Sequence, residues 1–190
     1  MSILKVNTIQ DKGGNTIISS DGSGVLSNIN NGIKSNFILD AETEISTNVT
    51  SITENVSFST YDKFLVNFRG ETDGSNAITL QIGNSSGIHT SSNYSSVQIQ
   101  YSGSTPTRTA STSASAITCT SASTGNFGLT AYMYWNSSDN FWIWHGQYHF
   151  ITTANGFTSG SQSNVSNLTQ IKFSCVSNIT SGKLSIFGIV

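Results

Sequence analysis

The sequence predicts an all-β fold: short N-terminal strands followed by a C-terminal antiparallel β-sandwich, jelly-roll-like. Three observations predict it. Apolar and polar residues alternate in short runs along the chain, which is the side-chain period of a strand with one buried and one wet face. Ser, Thr and Asn number 34, 23 and 19 of 190 residues, and these compete with helical hydrogen bonding while favouring strands, turns and caps. Ile outnumbers Leu by 20 to 8 and aromatics reach 10%, a bias towards pleated surfaces, and no long stretch has a helical period.

Taken in order, Ile3 to Gln10 alternates and is followed by Asp11-Lys12-Gly13-Gly14-Asn15, a reversing turn. Asn15-Thr16-Ile17-Ile18, the turn Asp21-Gly22-Ser23-Gly24, and Val25-Leu26 repeat the unit. Strands this short bury almost nothing alone and need a partner surface. Residues 1–30 are read as this appendage and 31–190 as the sandwich, with the Ser/Asn/Gly stretch 27–32 as the joint.

From Phe37 onward, strands are predicted at Glu44 to Val49, Phe64 to Phe68, Ile78 to Ile82, Val97 to Tyr101 and Ala116 to Thr120. Further strands follow at Leu129 to Trp135, Phe141 to Phe150, Gln170 to Val176 and Leu184 to Ile189. Turn signals separate them, among them Asp73-Gly74-Ser75, Asn136 to Asn140 and Asn155-Gly156. Thr105 to Ser115, with the chain's one proline at 106, reads either as an exposed loop or as a thin edge strand, where a residue without an N–H is tolerated.

Charged residues make up 9% of the chain, against roughly 25% in an average domain. The net charge of −2 gives no electrostatic footprint for nucleic acid, and a hydroxyl- and amide-rich surface gives salt little to screen. No secretory leader pattern and no apolar run long enough for a membrane helix is read, so membrane insertion is not expected. Cys119 and Cys175 sit in alternating runs and read as two small buried hydrophobes, with a single bridge between them as the alternative.

Chemistry-bearing motifs are sparse. There is no Gly-x-Ser-x-Gly elbow, phosphate loop or His-Glu-x-x-His, and the reading is of a non-enzyme with no catalytic residue, cofactor or metal. His145 and His149 lie about 13 Å apart along an extended strand, too far to grip one ion. Asp40, Glu42 and Glu44 would share one face, which reads as a solvated strand face before a weak calcium site. Arg69 and Arg108, the two arginines, read as solubilising or as able to orient an acidic partner.

The densest feature is an aromatic hairpin. Tyr132, Tyr134 and Trp135 precede Asn136 to Asn140, and Phe141, Trp142, Trp144, Tyr148 and Phe150 follow. Tyr132 and Tyr134 share one face, and Trp142, Trp144, Tyr148 and Phe150 share a face on the return strand. Leu129, Ala131, Met133 and Trp135 form the opposite face of the first strand, with Phe141 and Ile143 on the second. Both faces are apolar or aromatic, so one must find cover beyond the sandwich core. Three readings stand: a subunit interface, burial under the Ser/Thr loops, or a sugar-stacking platform. Tyr132, Tyr134, Trp142, Trp144 and Tyr148 are the interface or glycan-binding candidates.

The run Leu4-Lys5-Val6-Asn7-Thr8-Ile9-Gln10, with the Gly-Asn and Asp-Gly-Ser-Gly that follow, resembles the N-terminus of bacteriophage virion proteins of tail-fibre type, above all those of marine and cyanobacterial phages. The ending Gly182 to Ile189 resembles the last strand of many phage structural proteins. The resemblance implies a virion protein made in the host cytoplasm. It implies a homotrimer, anchored to another virion protein through Leu4, Val6, Ile9, Ile17, Ile18, Val25 and Leu26. The sandwich would then project outward, either as a small tail fibre or tail appendage that can meet a host surface glycan, or as a capsid decoration or head fibre. A free lectin-like carbohydrate-binding module is the alternative from another class.

Overall fold

The computed structural model describes residues 8–10, 12–14, 16–20, 26–29, 36–102, 105–151 and 154–190. Among these, every regular element is a strand. The chain divides into two compact units, Met1–Asn36 and Phe37–Val190, a boundary six residues beyond the one read from the sequence.

The first unit is an antiparallel three-stranded meander of β1 (Thr8–Gln10), β2 (Thr16–Ser20) and β3 (Leu26–Ile29). Gly14 sits at φ +80°, the left-handed conformation that the Gly-Gly turn supplies without steric cost. Ile9 pairs with Ile18, and Ile18 pairs in turn with Ile29.

The second unit is one twelve-stranded antiparallel sheet curled into a sandwich. Its strands are β4 (Phe37–Ile45), β5 (Val49–Asn55), β6 (Lys63–Asn76), β7 (Thr79–Asn84), β8 (Gly87–Ile88), β9 (Tyr94–Ser102), β10 (Thr105–Ala114), β11 (Ile117–Thr118), β12 (Ser123–Asn136), β13 (Phe141–Phe150), β14 (Ala154–Ser163) and β15 (Leu168–Ile189). The 22-residue β15 makes the curl. Its first part, Leu168 to Ser174, runs between β5 and β7, and its last part, Gly182 to Ile189, runs between β4 and β6. One strand therefore belongs to both layers. The broad layer runs β10-β9-β14-β13-β12-β6-β15-β4, and the narrow one holds β5, β15, β7, β8 and β11.

The core lies between these layers. Phe173 of the narrow layer meets Phe68 edge-on at 5.3 Å and Trp144 at 6.1 Å, both from the broad layer. Alternation in β12 and β13 points Leu129, Ala131, Met133, Trp135, Trp142, Trp144, Tyr148 and Phe150 inward, all buried. Cys119 and Cys175 are free and buried, which decides the cysteine reading in favour of two small core residues.

Four predicted features are corrected. Glu44 to Val49 is not a strand but the end of β4, a turn and the start of β5. Asp73-Gly74-Ser75 continues β6 rather than turning, because the Asp73 carboxylate accepts hydrogen bonds from the Asn178 N–H at 2.9 Å and its side-chain amide at 2.7 Å. The two C-terminal strands are one, β15. The fourth is Asn155-Gly156, which lies within β14, an element the turn signal concealed. The inward positions of β14 include Gly156 and Gly160 because neighbours overhang them. A Cβ at Gly156 would lie 2.5 Å from the Tyr148 hydroxyl, and one at Gly160 would lie 2.4 Å from the Ile117 side chain. Thr105 to Ala114 is the edge-strand alternative: β10 pairs only with β9 and is exposed almost throughout.

Short β11 is docked on the broad layer by side chains. Thr158 Oγ1 donates to the Thr118 carbonyl at 2.6 Å, and the Thr118 N–H donates to Ser96 Oγ at 3.1 Å. Tyr94 ties β9 to the narrow layer. Its hydroxyl accepts from the Ile82 N–H at 3.0 Å and donates to the His89 carbonyl at 3.1 Å. Burial pushes the Tyr94 phenol up to about 12, and burial likewise raises Tyr148 and the Cys119 thiol.

These groups predict an alkaline weakness. Each is held neutral in the folded state, so its contribution is complete below its unfolded pKa and is lost as pH rises through the folded one. For Tyr94 the window runs from pH 10 to about 12 and is worth on the order of 2 kcal/mol. Urea midpoints should fall across that window, and Tyr94→Phe should flatten the fall; an unchanged slope in the variant would exclude Tyr94 as the source.

Candidate functional site

Strand order determines which residues share the outer face of the broad layer. Tyr132 is paired with Leu65 and His145, Leu65 with Phe187, and Phe187 with Leu39. Leu39 and Tyr132 are 53% and 45% exposed. Next to this row, Tyr134 pairs with Ile143 and lies under the Lys63 ammonium, 5.9 Å from its ring centroid. The result is a partly exposed apolar strip across β4, β15, β6, β12 and β13.

The five aromatic candidates therefore divide. Tyr132 and Tyr134 are exposed on this strip. Trp142, Trp144 and Tyr148 point into the core, and both tryptophans are fully buried. Those three cannot serve as an interface or glycan platform; the register opposes Met133 to Trp144 and Trp135 to Trp142, which puts them all on the inner face.

Beside the strip lies a trough of mixed polar and apolar lining, formed by two confluent depressions of about 510 and 340 Å³ that share Gly128 and Thr130. One row of the sheet crosses it as Tyr101, Asn155, His149, Gly128, Arg69 and Lys183, on six adjacent strands. The row next to it brings Phe157, Gln147, Thr130, Asn67, Ser185 and Glu42. At one end Lys183 pairs with Glu42 at 2.7 Å; this ammonium is the main cause holding the Glu42 carboxyl below its usual range. Among the described residues that is the one ion pair between side chains, and Arg69 has no carboxylate within salt-bridge distance. In the middle, Thr130 Oγ1 donates to Asn67 Oδ1 at 3.1 Å, and His149 Nδ1 is hydrogen-bonded to Asn155 Oδ1. With Nδ1 held by an amide oxygen, His149 keeps Nε2 for an outside partner. At the far end Tyr101 and Phe157 expose their rings.

The other candidates fall apart in space. Asp40, Glu42 and Glu44 do not share a face, because the pairing with β15 slips between Ile186 and Phe187 and leaves Asp40 out of register. Asp40 instead accepts the Ser57 N–H at 2.8 Å. Among the described residues no group of three His, Cys, Asp or Glu side chains could hold a metal ion. Of the anchoring residues, Leu4, Val6 and Val25 lie outside the described residues. Ile9 is half-exposed in β1, Ile17 and Ile18 are partly buried in β2, and Leu26 pairs with Ser20 in β3.

Sequence reading missed Leu39, Phe187, Tyr101, Phe157, Asn155 and Gly128. Asn155 and Phe157 lie on β14, which the turn signal concealed, and only the order of non-consecutive strands sets these residues side by side. No protein-family model matches the chain, and no curated protein matches it.

Proposed function

We propose that this chain is a non-enzymatic virion structural protein: a small tail-fibre or tail-associated appendage, assembled as a homotrimer, that contacts the host surface. The phage character and the trimer rest on the resemblance of residues 3–27 and 182–189. The observation that carries the assembly is the outer strip of exposed Leu39, Tyr132 and Tyr134 with partly buried Phe187, Leu65 and Ile143 among them, on a sheet whose other face already fills the core. A sheet face of this kind is covered by another surface when the protein works, and aromatics are enriched in interface cores. Main-chain pairing by the short N-terminal strands would supply the joint to another virion protein. The lectin-like module is the second reading, and the trough favours it.

Light scattering should give a mass near three times 20.2 kDa that does not change between low and high salt. Leu39→Asp combined with Tyr132→Asp should reduce it to the monomer mass without loss of β-sheet circular dichroism. A monomeric parent protein would overturn the trimer.

A further inference from the structure

We infer that the trough over Gly128 is a binding site for an extended, uncharged oligosaccharide laid across the strands. This deepens the host-contact part of the proposed function and depends on it only for its biological setting.

Gly128 is the starting observation. It lies in the middle of β12, paired on both sides, and has no left-handed φ. A Cβ built on it meets nothing within 4 Å. Neither backbone conformation nor packing calls for glycine there, in contrast to the crowded Gly156 and Gly160. Glycine weakens a strand interior, and its presence often marks close approach by a ligand or another backbone. What it supplies here is an open floor between Arg69 and His149.

The walls identify the class of occupant. The trough lies on a sheet face whose backbone groups are already paired, so recognition must come from side chains. Those on offer are amides (Asn67, Gln147, Asn155), a hydroxyl (Thr130), an imidazole (His149) and a guanidinium (Arg69). Such a mixture of donors and acceptors suits adjacent sugar hydroxyls, which do both. The exposed rings of Tyr101 and Phe157 give the apolar C–H face of a sugar a place to lie.

Charge selects against a polyanion. Lys183 is neutralised by Glu42, while Glu44 pairs across from Lys183 and Glu71 lies two residues from Arg69 on the same strand face. The surroundings therefore carry no excess of positive charge, which nucleic acid or another polyanion would need. Length selects against a single sugar: four interstrand steps of about 4.8 Å separate Arg69 from Tyr101, on the order of 19 Å.

The test is titration of the full-length protein with cellohexaose, chitohexaose, maltohexaose and laminarihexaose, and with a bacterial O-antigen polysaccharide. Saturable binding to at least one is expected, unchanged between low and high salt. Gly128→Val fills the floor with a residue that strands favour, so it should weaken binding at least about tenfold while melting no lower than the parent and keeping its mass. Tyr101→Ala with Phe157→Ala should weaken the same ligand. Binding to none of the probes, binding that salt abolishes, or equal binding by Gly128→Val would each overturn the inference. A ligand-free result with an intact trimer would leave the assembly reading standing, and a monomer that binds would do the reverse.

Discussion

Trp144→Ala should destabilise the sandwich by about 3–5 kcal/mol, the cost of removing a fully buried indole and leaving a cavity. Trp144 is buried completely, opposes Met133 across β12, and rests on Phe173, which also carries Phe68. That contact joins the two layers of the curled sheet, so a cavity there weakens the layer stacking and not a single strand pair. Gly160 is the residue opposite on β14, already under the Ile117 side chain, so the space cannot be filled from that side and only Met133 on β12 can lean into it. Small domains have only about 5–15 kcal/mol in total, so the variant should melt on the order of 10 °C lower. Gln147→Ala, on the wet face of the same strand, should change the melting temperature by no more than about 2 °C. Equal losses in the two variants, followed by urea denaturation, would mean that the inner and outer faces of β13 are wrongly assigned.

The same substitution shows what the sequence could and could not say about this hairpin. Period-two alternation correctly separated Tyr132 and Tyr134 from Met133 and Trp135, because each strand's faces are fixed by its own pleat. Which face of β12 continues into which face of β13 comes out the wrong way round, with Phe141 and Ile143 placed on the face of Met133 and Trp135, whereas Ile143 is paired with Tyr134 and Trp144 with Met133. That depends on register, here Trp135 opposite Trp142, and register is what buries both tryptophans. Tests of assembly or sugar binding therefore belong on Tyr132, Leu39, Tyr101 and Phe157, since replacing the tryptophans would remove the core.

Elsewhere the limits had different causes. β14 was hidden because two of its inward positions are glycines, kept small by the rings and Ile117 above them, so it lacks the apolar alternation that announces a strand. The apolar strip and the trough were hidden because β15 returns between β6 and β4, and β14 lies against β9, placing residues over a hundred positions apart in one row. Composition did disclose the character of the surface. Among the described residues the Lys183–Glu42 pair is the single salt bridge, as a chain with so few charges implies.

Gly182→Ala should be the most damaging substitution of a small residue by its nearest neighbour in size, costing about 3 kcal/mol or more. Gly182 stands where β15 leaves the narrow layer and enters the broad one, at φ +147° and paired at once with Ile45 and Gly70. Two penalties combine there. The conformation is one that L side chains rarely adopt, worth about 1–3 kcal/mol. A Cβ would also lie 2.3 Å from the Arg69 carbonyl oxygen and 2.6 Å from the Gly70 Cα, both backbone atoms held by strand pairing. Relief would require β15 and β6 to separate at the point where the sheet curls, which loosens the stacking of both layers. Lys183→Ala, one residue on, removes a surface ion pair and should cost less than about 1 kcal/mol. Gly128→Ala, in the same sheet but with open space around its Cβ, should be neutral or mildly stabilising. If thermal denaturation ranked Gly182→Ala with either control, the curl of β15 would not depend on this close approach, and the continuous strand linking the two layers would need a different physical basis.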